Sequence, residues 1–183
     1  MAKEAGCDPA RVIQLYGMSK DWCANGLRVG VLVAQDNPAL IQAMSTTALF
    51  GMVSSPADAI WSALLLDDKA RLQFIEENQK RLAQAYERAT SWLREHGVPY
   101  RPAYAGHFLW LDVRQWCKGD KPTKDDEMQL AMRCLDKGVF VAPGSSYSPL
   151  EPGFMRLTFT VQPALLEIGL ERFGKALEEA ALQ

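Results

Sequence analysis

Lys20 stands in a setting that suits chemistry. It lies within Tyr16-Gly17-Met18-Ser19-Lys20-Asp21-Trp22-Cys23-Ala24-Asn25-Gly26-Leu27-Arg28-Val29-Gly30, a stretch of small and turn-forming residues. Arg28 follows eight positions later, and the chain then turns apolar and β-branched at Val29, Val31, Leu32 and Val33. A lysine becomes a nucleophile only after shedding its proton, which a crowded or partly apolar setting favours. An arginine presents a planar fork of donors that matches a phosphate. A Schiff-base lysine and a phosphate-binding arginine together describe a grip on pyridoxal phosphate. Two solvated surface charges would have the same spacing, so spacing alone leaves both readings open.

A second arginine invites a similar question. In Phe154-Met155-Arg156-Leu157-Thr158-Phe159-Thr160-Val161 a two-residue period separates two faces. Met155, Leu157, Phe159 and Val161 share the face expected in the core, while Arg156, Thr158 and Thr160 share the other with Phe154. An arginine among apolar neighbours is expensive to bury without an anion. A substrate carboxylate held by two parallel hydrogen bonds would supply one. A structural salt bridge, or a wet sheet face, would serve equally.

The elements that must position these residues follow from patterning. Arg11–Tyr16 is a short apolar run expected to form a buried strand that delivers Lys20 to its end, where open α/β sheets bind ligands. Asn25-Gly26 is a turn signal, and residues 28–34 read as the next strand, so Lys20 and Arg28 flank one loop. Asn37-Pro38 opens a helix with Leu40, Ile41, Met44, Ala48 and Leu49 as its apolar face. Ser55-Pro56-Ala57-Asp58 opens another, with the serine as cap, running to about Leu66. Core packing is the expected role of residues 37–66. From Asp67 to His96, Leu72, Ile75, Leu82, Tyr86, Ala89 and Leu93 keep helical spacing, and Gly97 supplies the end. Such a helix, ~40 Å long at 1.5 Å per residue, suits a bridge between domains.

The remainder reads as an α+β unit. Its expected strands are residues 107–113, Val139-Phe140-Val141 and Phe154–Val161. Its expected helices are Asp125–Lys137, closed by Gly138, and Pro163–Leu182 with Leu166, Leu170, Phe173 and Leu177 inward.

Composition narrows the classes. The chain has 183 residues, 48% hydrophobic and 23% charged, as in soluble globular proteins. A net charge of −2 offers no electrostatic case for nucleic acid or a membrane surface. No apolar run has the ~18 residues of a membrane span and the first residues carry no signal-peptide core, so a cytoplasmic location is the expectation. Cys7, Cys23, Cys117 and Cys134 form no CxxC pair, and only His96 and His107 could join them. Neither a metal-ligand pattern nor a disulfide framework is indicated, though a bridge or a catalytic Cys–His pair stays formally open.

The run Ser19-Lys20-Asp21 through Gly26-Leu27-Arg28-Val29-Gly30 resembles the lysine segment of class I/II aminotransferases. Within them it is most similar to the 1-aminocyclopropane-1-carboxylate synthase-like branch, a fold-type I family that uses pyridoxal 5'-phosphate. The resemblance implies that Lys20 forms the internal aldimine, that Arg28 binds the cofactor phosphate, and that Ser19 belongs to the same cofactor site. The family commonly has a serine three residues before the lysine, its hydroxyl also on the phosphate; here that position is Gly17. Ala142-Pro143-Gly144-Ser145-Ser146-Tyr147 and Glu151-Pro152-Gly153-Phe154-Met155-Arg156-Leu157 resemble the family's C-terminal signature, in which the arginine binds the substrate α-carboxylate. Ala105-Gly106-His107-Phe108-Leu109-Trp110-Leu111-Asp112 resembles the family's small-domain strand, with His107 where an apolar residue is usual.

The resemblance therefore implies an α/β fold: the C-terminal part of a fold-type I transferase, the end of the large domain plus an α+β small domain. Residues 1–66 would close the large domain and 67–183 would form the small domain with its connecting helix. An amino-acid substrate and a homodimeric full-length enzyme are implied. So is a large N-terminal part, outside this sequence, that carries the remaining cofactor contacts. Aminotransferase chemistry, a lyase or 1-aminocyclopropane-1-carboxylate synthase-like reaction, and a non-catalytic remnant or interaction module all stay open.

Overall fold

The computed structural model describes residues 4–117, 121–147 and 150–182. It divides into two compact units, Met1–Glu76 and Glu77–Gln183.

In the first unit the lysine segment is the connection of a hairpin. Strand β1 (Gln14–Gly17) pairs antiparallel with β2 (Gly30–Val33), Gln14 opposite Val33 and Gly17 opposite Gly30. The expected strand over Arg11–Tyr16 starts later, because the Asp8 side chain accepts from the Ala10 N–H and caps a 3₁₀ turn at Pro9–Arg11. It is also not buried: Leu15 is 76% exposed. The sheet has only these two strands among the described residues, and two strands cover little of each other.

Three helices belong to the same unit. Between β1 and β2 lies α1 (Met18–Asp21), a single turn; α2 (Pro38–Ala48) and α3 (Ser55–Leu66) follow β2. The Asn37 side chain caps α2 by accepting from the Leu40 N–H at 2.9 Å. The cap of α3 is Ser54 and not Ser55, accepting from the Ala57 N–H, so Ser55 and Pro56 fill the first turn. Core packing does not describe these helices in this chain. None of α2 is buried, Leu49 is 67% exposed, and α3 buries only Ala57 and Trp61.

Helix α4 (Asp68–Glu95) runs from the first unit into the second. The Asp67 carboxylate caps it through the Ala70 N–H at 2.9 Å. At its end Gly97 adopts φ 63°, and the Val98 N–H reaches back to the Leu93 carbonyl at 2.9 Å. That left-handed close is cheap only without a Cβ. Burial along the predicted stripe is uneven: Leu72 is largely exposed, whereas Ala89 and Leu93 are fully buried.

The second unit is a four-stranded antiparallel sheet with helices on one face. Its strands are β3 (Tyr100–Arg101), β4 (Phe108–Asp112), β5 (Ala142–Pro143) and β6 (Phe154–Thr158), in the order β3-β4-β6-β5. Helix α5 (Lys124–Asp136) opens with a Thr123/Asp126 capping box, and α6 (Pro163–Ala181) closes the chain. Alternation along β4 and β6 sends Leu109, Leu111, Met155 and Leu157 into a core. That core also contains Ala89 and Leu93 of α4, Leu130, Ala131 and Cys134 of α5, and Leu166, Leu170, Phe173 and Leu177 of α6. The opposite face carries Phe108, Trp110, Phe154 and Arg156.

Three expectations shift here. Pairing with β6 is made by Ala142-Pro143, not by Val139–Val141. Residues 139–141 leave the turn after α5, where the Val139 N–H bonds the Cys134 carbonyl, and Pro143, with no N–H, stops the ladder. Pro143-Gly144-Ser145-Ser146, whose proline, glycine and serines read as a loop, instead closes β5 and opens a 3₁₀ turn at Gly144–Tyr147. Strand β6 ends at Thr158, so Val161 sits in the bend before Pro163 and is 43% exposed instead of in the core. The two-residue β3 left no pattern long enough to read. No helix among the described residues is long and apolar enough to cross a membrane.

Candidate functional site

Lys20 and Arg28 share the connection between β1 and β2, Lys20 within α1 and Arg28 directly after a 3₁₀ turn at Asn25–Leu27. The base of this connection is fixed by packing. Met18 is buried, and the Trp22 ring stacks on Phe74 at 5.3 Å and meets Trp61 edge-on at 4.9 Å. The Trp22 indole N–H donates to the Tyr16 hydroxyl at 2.8 Å. Burial pushes the Tyr16 phenol above its ordinary range.

The backbone of this connection is strained. Cys23 and Arg28, at φ 53° and 55°, are the two non-glycine residues with positive φ among the described residues. Each such conformation costs about 1 kcal/mol or more and persists only where its surroundings enforce it, typically at functional sites. The Cys23 N–H bonds the Lys20 carbonyl at 3.1 Å, and an Arg28 Nη donates to the Asn25 carbonyl at 2.8 Å. Arg28 is exposed and that bond engages one of its five donors, so most of its fork faces outward. Lys20 is exposed too, so the crowding expected around its ammonium group is not present here. Ser19 is half-buried beside it.

Gly17 needs none of glycine's freedom. Its φ is −131°, and a Cβ added there would meet nothing within 4 Å. The space left by the family serine is therefore open. The phosphate donors that this segment offers are the Arg28 fork, the Ser19 hydroxyl and backbone N–H groups, a set that fits the anionic end of pyridoxal phosphate.

Arg156 belongs to the second unit, central on β6 between Trp110 of β4 and Ala142 of β5. Its guanidinium lies between two aromatic faces, 4.1 Å from the centroid of Phe108 and 4.0 Å from that of Tyr147. Its Nε is buried with no hydrogen-bond partner, and no carboxylate pairs with the side chain among the described residues. The structural salt bridge, open on sequence grounds, is thus not what occupies this arginine. Phe154 stacks on Trp110 at 5.9 Å, and Trp110 meets Tyr147 edge-on at 6.2 Å, which closes the aromatic surround. His107 contacts the Thr160 hydroxyl through Nδ1 at 3.0 Å, at the end of the same ladder.

Sequence reasoning passed over Glu127, Phe108 and Tyr147. Glu127, in the first turn of α5, is 0% exposed. One oxygen accepts from the Gly153 and Phe154 N–H groups at 2.6 and 3.2 Å, the other from the Ser145 N–H at 2.7 Å. A buried carboxylate costs several kcal/mol unless paired or bonded in this way. The signal was present: Glu127 precedes Leu130, Ala131 and Cys134 by three, four and seven residues, which puts an acid on the buried stripe. Close by, Gly144 passes so near β6 that a Cβ would fall 2.6 Å from the Phe154 carbonyl oxygen.

The cysteines offer no second site of this kind. All four are unbridged; burial pushes the Cys117 thiol up to about 11 and that of Cys134 up to about 12, so neither is a thiolate at neutral pH.

Comparison with known proteins gives the family of the chain. The family model for aminotransferase class I and II matches residues 2–173. A 1-aminocyclopropane-1-carboxylate synthase of Glycine max is 34% identical over 91% of this chain and 34% of its own length. A probable aminotransferase, gliI, of Aspergillus fumigatus is 34% identical over 94% of this chain and 40% of its own. The α-aminoadipate aminotransferase LysN of Thermus thermophilus, solved with N-(5'-phosphopyridoxyl)-L-leucine, shares the fold at TM-score 0.80 and 22% identity, covering 99% of this chain and 45% of that one. The chain thus spans about a third of the length of the curated relatives it matches.

Proposed function

The chain belongs to the class I and II aminotransferase family, in the branch similar to 1-aminocyclopropane-1-carboxylate synthases, and on that premise we propose that it forms part of a pyridoxal-phosphate-dependent aminotransferase acting on an amino acid. The observation that carries the reading is Arg156: a guanidinium held between two aromatic rings, with a buried Nε that has no partner. Such a group is poised for a planar anion, and the α-carboxylate of an amino acid is one.

The roles divide by unit. In the first, Lys20 Nζ would hold pyridoxal phosphate, and Arg28 and Ser19 would donate to its phosphate. Bound there, pyridoxal phosphate supplies an electron sink for charge developing at the substrate α carbon. Lys20 Nζ would take up the substrate α proton as general base. Arg156 fixes the carboxylate by two parallel N–H···O bonds and so sets which α bond is presented. We place the boundary of large and small domains near residue 67 and the whole enzyme as a homodimer. The same residues serve lyase or ring-closing chemistry; the family description favours amino-group transfer.

The test is a titration of the chain with pyridoxal phosphate, read by quenching of tryptophan fluorescence, since Trp22 lies two residues from Lys20. Arg28→Ala is expected to weaken binding roughly 10- to 100-fold, the loss of a charge-assisted hydrogen bond of ~1.5–3 kcal/mol. Gly17→Ser is expected to tighten it by roughly 3- to 10-fold for one added hydroxyl bond. Its stability should not fall, because the added side chain meets open space. Binding indifferent to Arg28→Ala would overturn the assignment.

A further inference from the structure

We propose that Glu127 is a positioning residue for carboxylate recognition, holding the Tyr147 ring against Arg156 by tying both ends of the 144–154 segment to α5. The inference rests on the reading of Arg156 as the carboxylate grip, but its own evidence is separate.

The geometry is unusual for an acid in the first turn of a helix. Glu127 spends both oxygens on backbone N–H groups that lie eight or nine residues apart in the chain: Ser145 on one side, Gly153 and Phe154 on the other. Two of those anchors bracket Tyr147, and the third is the first residue of β6, two positions before Arg156. One side chain therefore fixes Tyr147 and the strand that carries Arg156 in the same frame. Tyr147 is 40% exposed and meets Trp110 edge-on, and its place over the guanidinium follows from where the 3₁₀ turn at Gly144–Tyr147 is pinned. Gly144 allows that turn to lie flush against Phe154.

The chemistry also explains why this residue is an acid. Three N–H donors converge on two oxygens, an arrangement that a carboxylate satisfies and an amide cannot, because its NH₂ would face a donor. The positive end of α5, where Glu127 lies in the first turn, favours the same negative charge. Phe108, on the other side of the guanidinium, belongs to β4 and is fixed by the ladder. Only the Tyr147 side of the clamp thus depends on Glu127. With that ring displaced, Arg156 has one aromatic wall and more than one accessible plane, and a bidentate carboxylate contact loses its prepared geometry.

The test is an ¹⁵N-edited NMR spectrum of the chain, with the Arg156 Nε–Hε resonance identified by its loss in Arg156→Lys. A guanidinium between two ring faces carries an upfield ring-current displacement. In Glu127→Gln the expected result is loss of the Tyr147 share of that displacement, with the Phe108 share kept, while core methyl resonances of Leu109 and Leu157 in a ¹³C-edited spectrum stay in place, a pattern that general loosening would not produce. Full retention of the displacement in folded Glu127→Gln would overturn the proposal. Should Glu127→Gln fail to fold, Glu127→Asp decides: its shorter carboxylate reaches one side only, so a reduced displacement supports the clamp and an unchanged one overturns it. Titration of the wild-type chain with L-alanine separates the two ideas. An Arg156 resonance unmoved by L-alanine removes the carboxylate reading of Arg156, whereas the variant spectra alone decide whether Glu127 sets the position of Tyr147.

Discussion

Arg156→Leu is expected to abolish recognition of an amino-acid carboxylate while leaving stability nearly unchanged. Losing a buried, hydrogen-bonded charge pair across an interface costs ~2–5 kcal/mol, so affinity for L-alanine should fall by roughly 30-fold or more. Stability responds to smaller and opposing terms. The substitution forfeits two cation–π contacts, each worth ~0.5–1 kcal/mol at a partly exposed site. It also removes a buried Nε with no partner, which carries a penalty of ~1–3 kcal/mol. These nearly cancel, and the net change should stay within ~1 kcal/mol. Calorimetric titration of the cofactor-loaded chain with L-alanine, beside urea unfolding, checks both halves. Unchanged affinity would remove Arg156 from substrate binding; a large loss of stability would make it a structural residue.

Phe173→Ala should show the opposite pattern. Phe173 is fully buried in the core of the second unit, with its ring centroid 6.2 Å from that of Trp92. Deleting a buried phenylalanine ring costs ~3–5 kcal/mol, a large share of the ~5–15 kcal/mol that stabilises a typical domain. The urea midpoint of the second unit should fall steeply, and a loss below ~1 kcal/mol would contradict the packing described.

What could be read from sequence divides along the same line. Leu166, Leu170, Phe173 and Leu177 were legible because α6 buries one stripe against a sheet that the chain itself supplies. The α2 and α3 stripes were read as core by the same logic, yet Ile41, Met44 and Leu49 are exposed, since periodicity reports a face that can be buried and not what covers it. Strand limits were the least legible. Val139–Val141 is as β-branched and apolar as a strand should be, but pairing was decided by the turn after α5 and by Pro143. For the site, the Lys20–Arg28 connection was legible from its turn signals and from resemblance. The aromatic clamp was not, because Phe108 and Tyr147 lie 39 residues apart and meet only across Arg156. Glu127 was hidden in an acidic first turn, Asp125-Asp126-Glu127, where every member looks like a favourable helix-end charge.

We propose Lys20 as the residue through which this chain holds pyridoxal phosphate. Incubation with pyridoxal phosphate, borohydride reduction and peptide mapping address it directly, with Lys20→Ala as the control. The predicted result is one phosphopyridoxyl group per chain, confined to Lys20 and absent from the variant. Label spread over several surface lysines, or undiminished in Lys20→Ala, would contradict it.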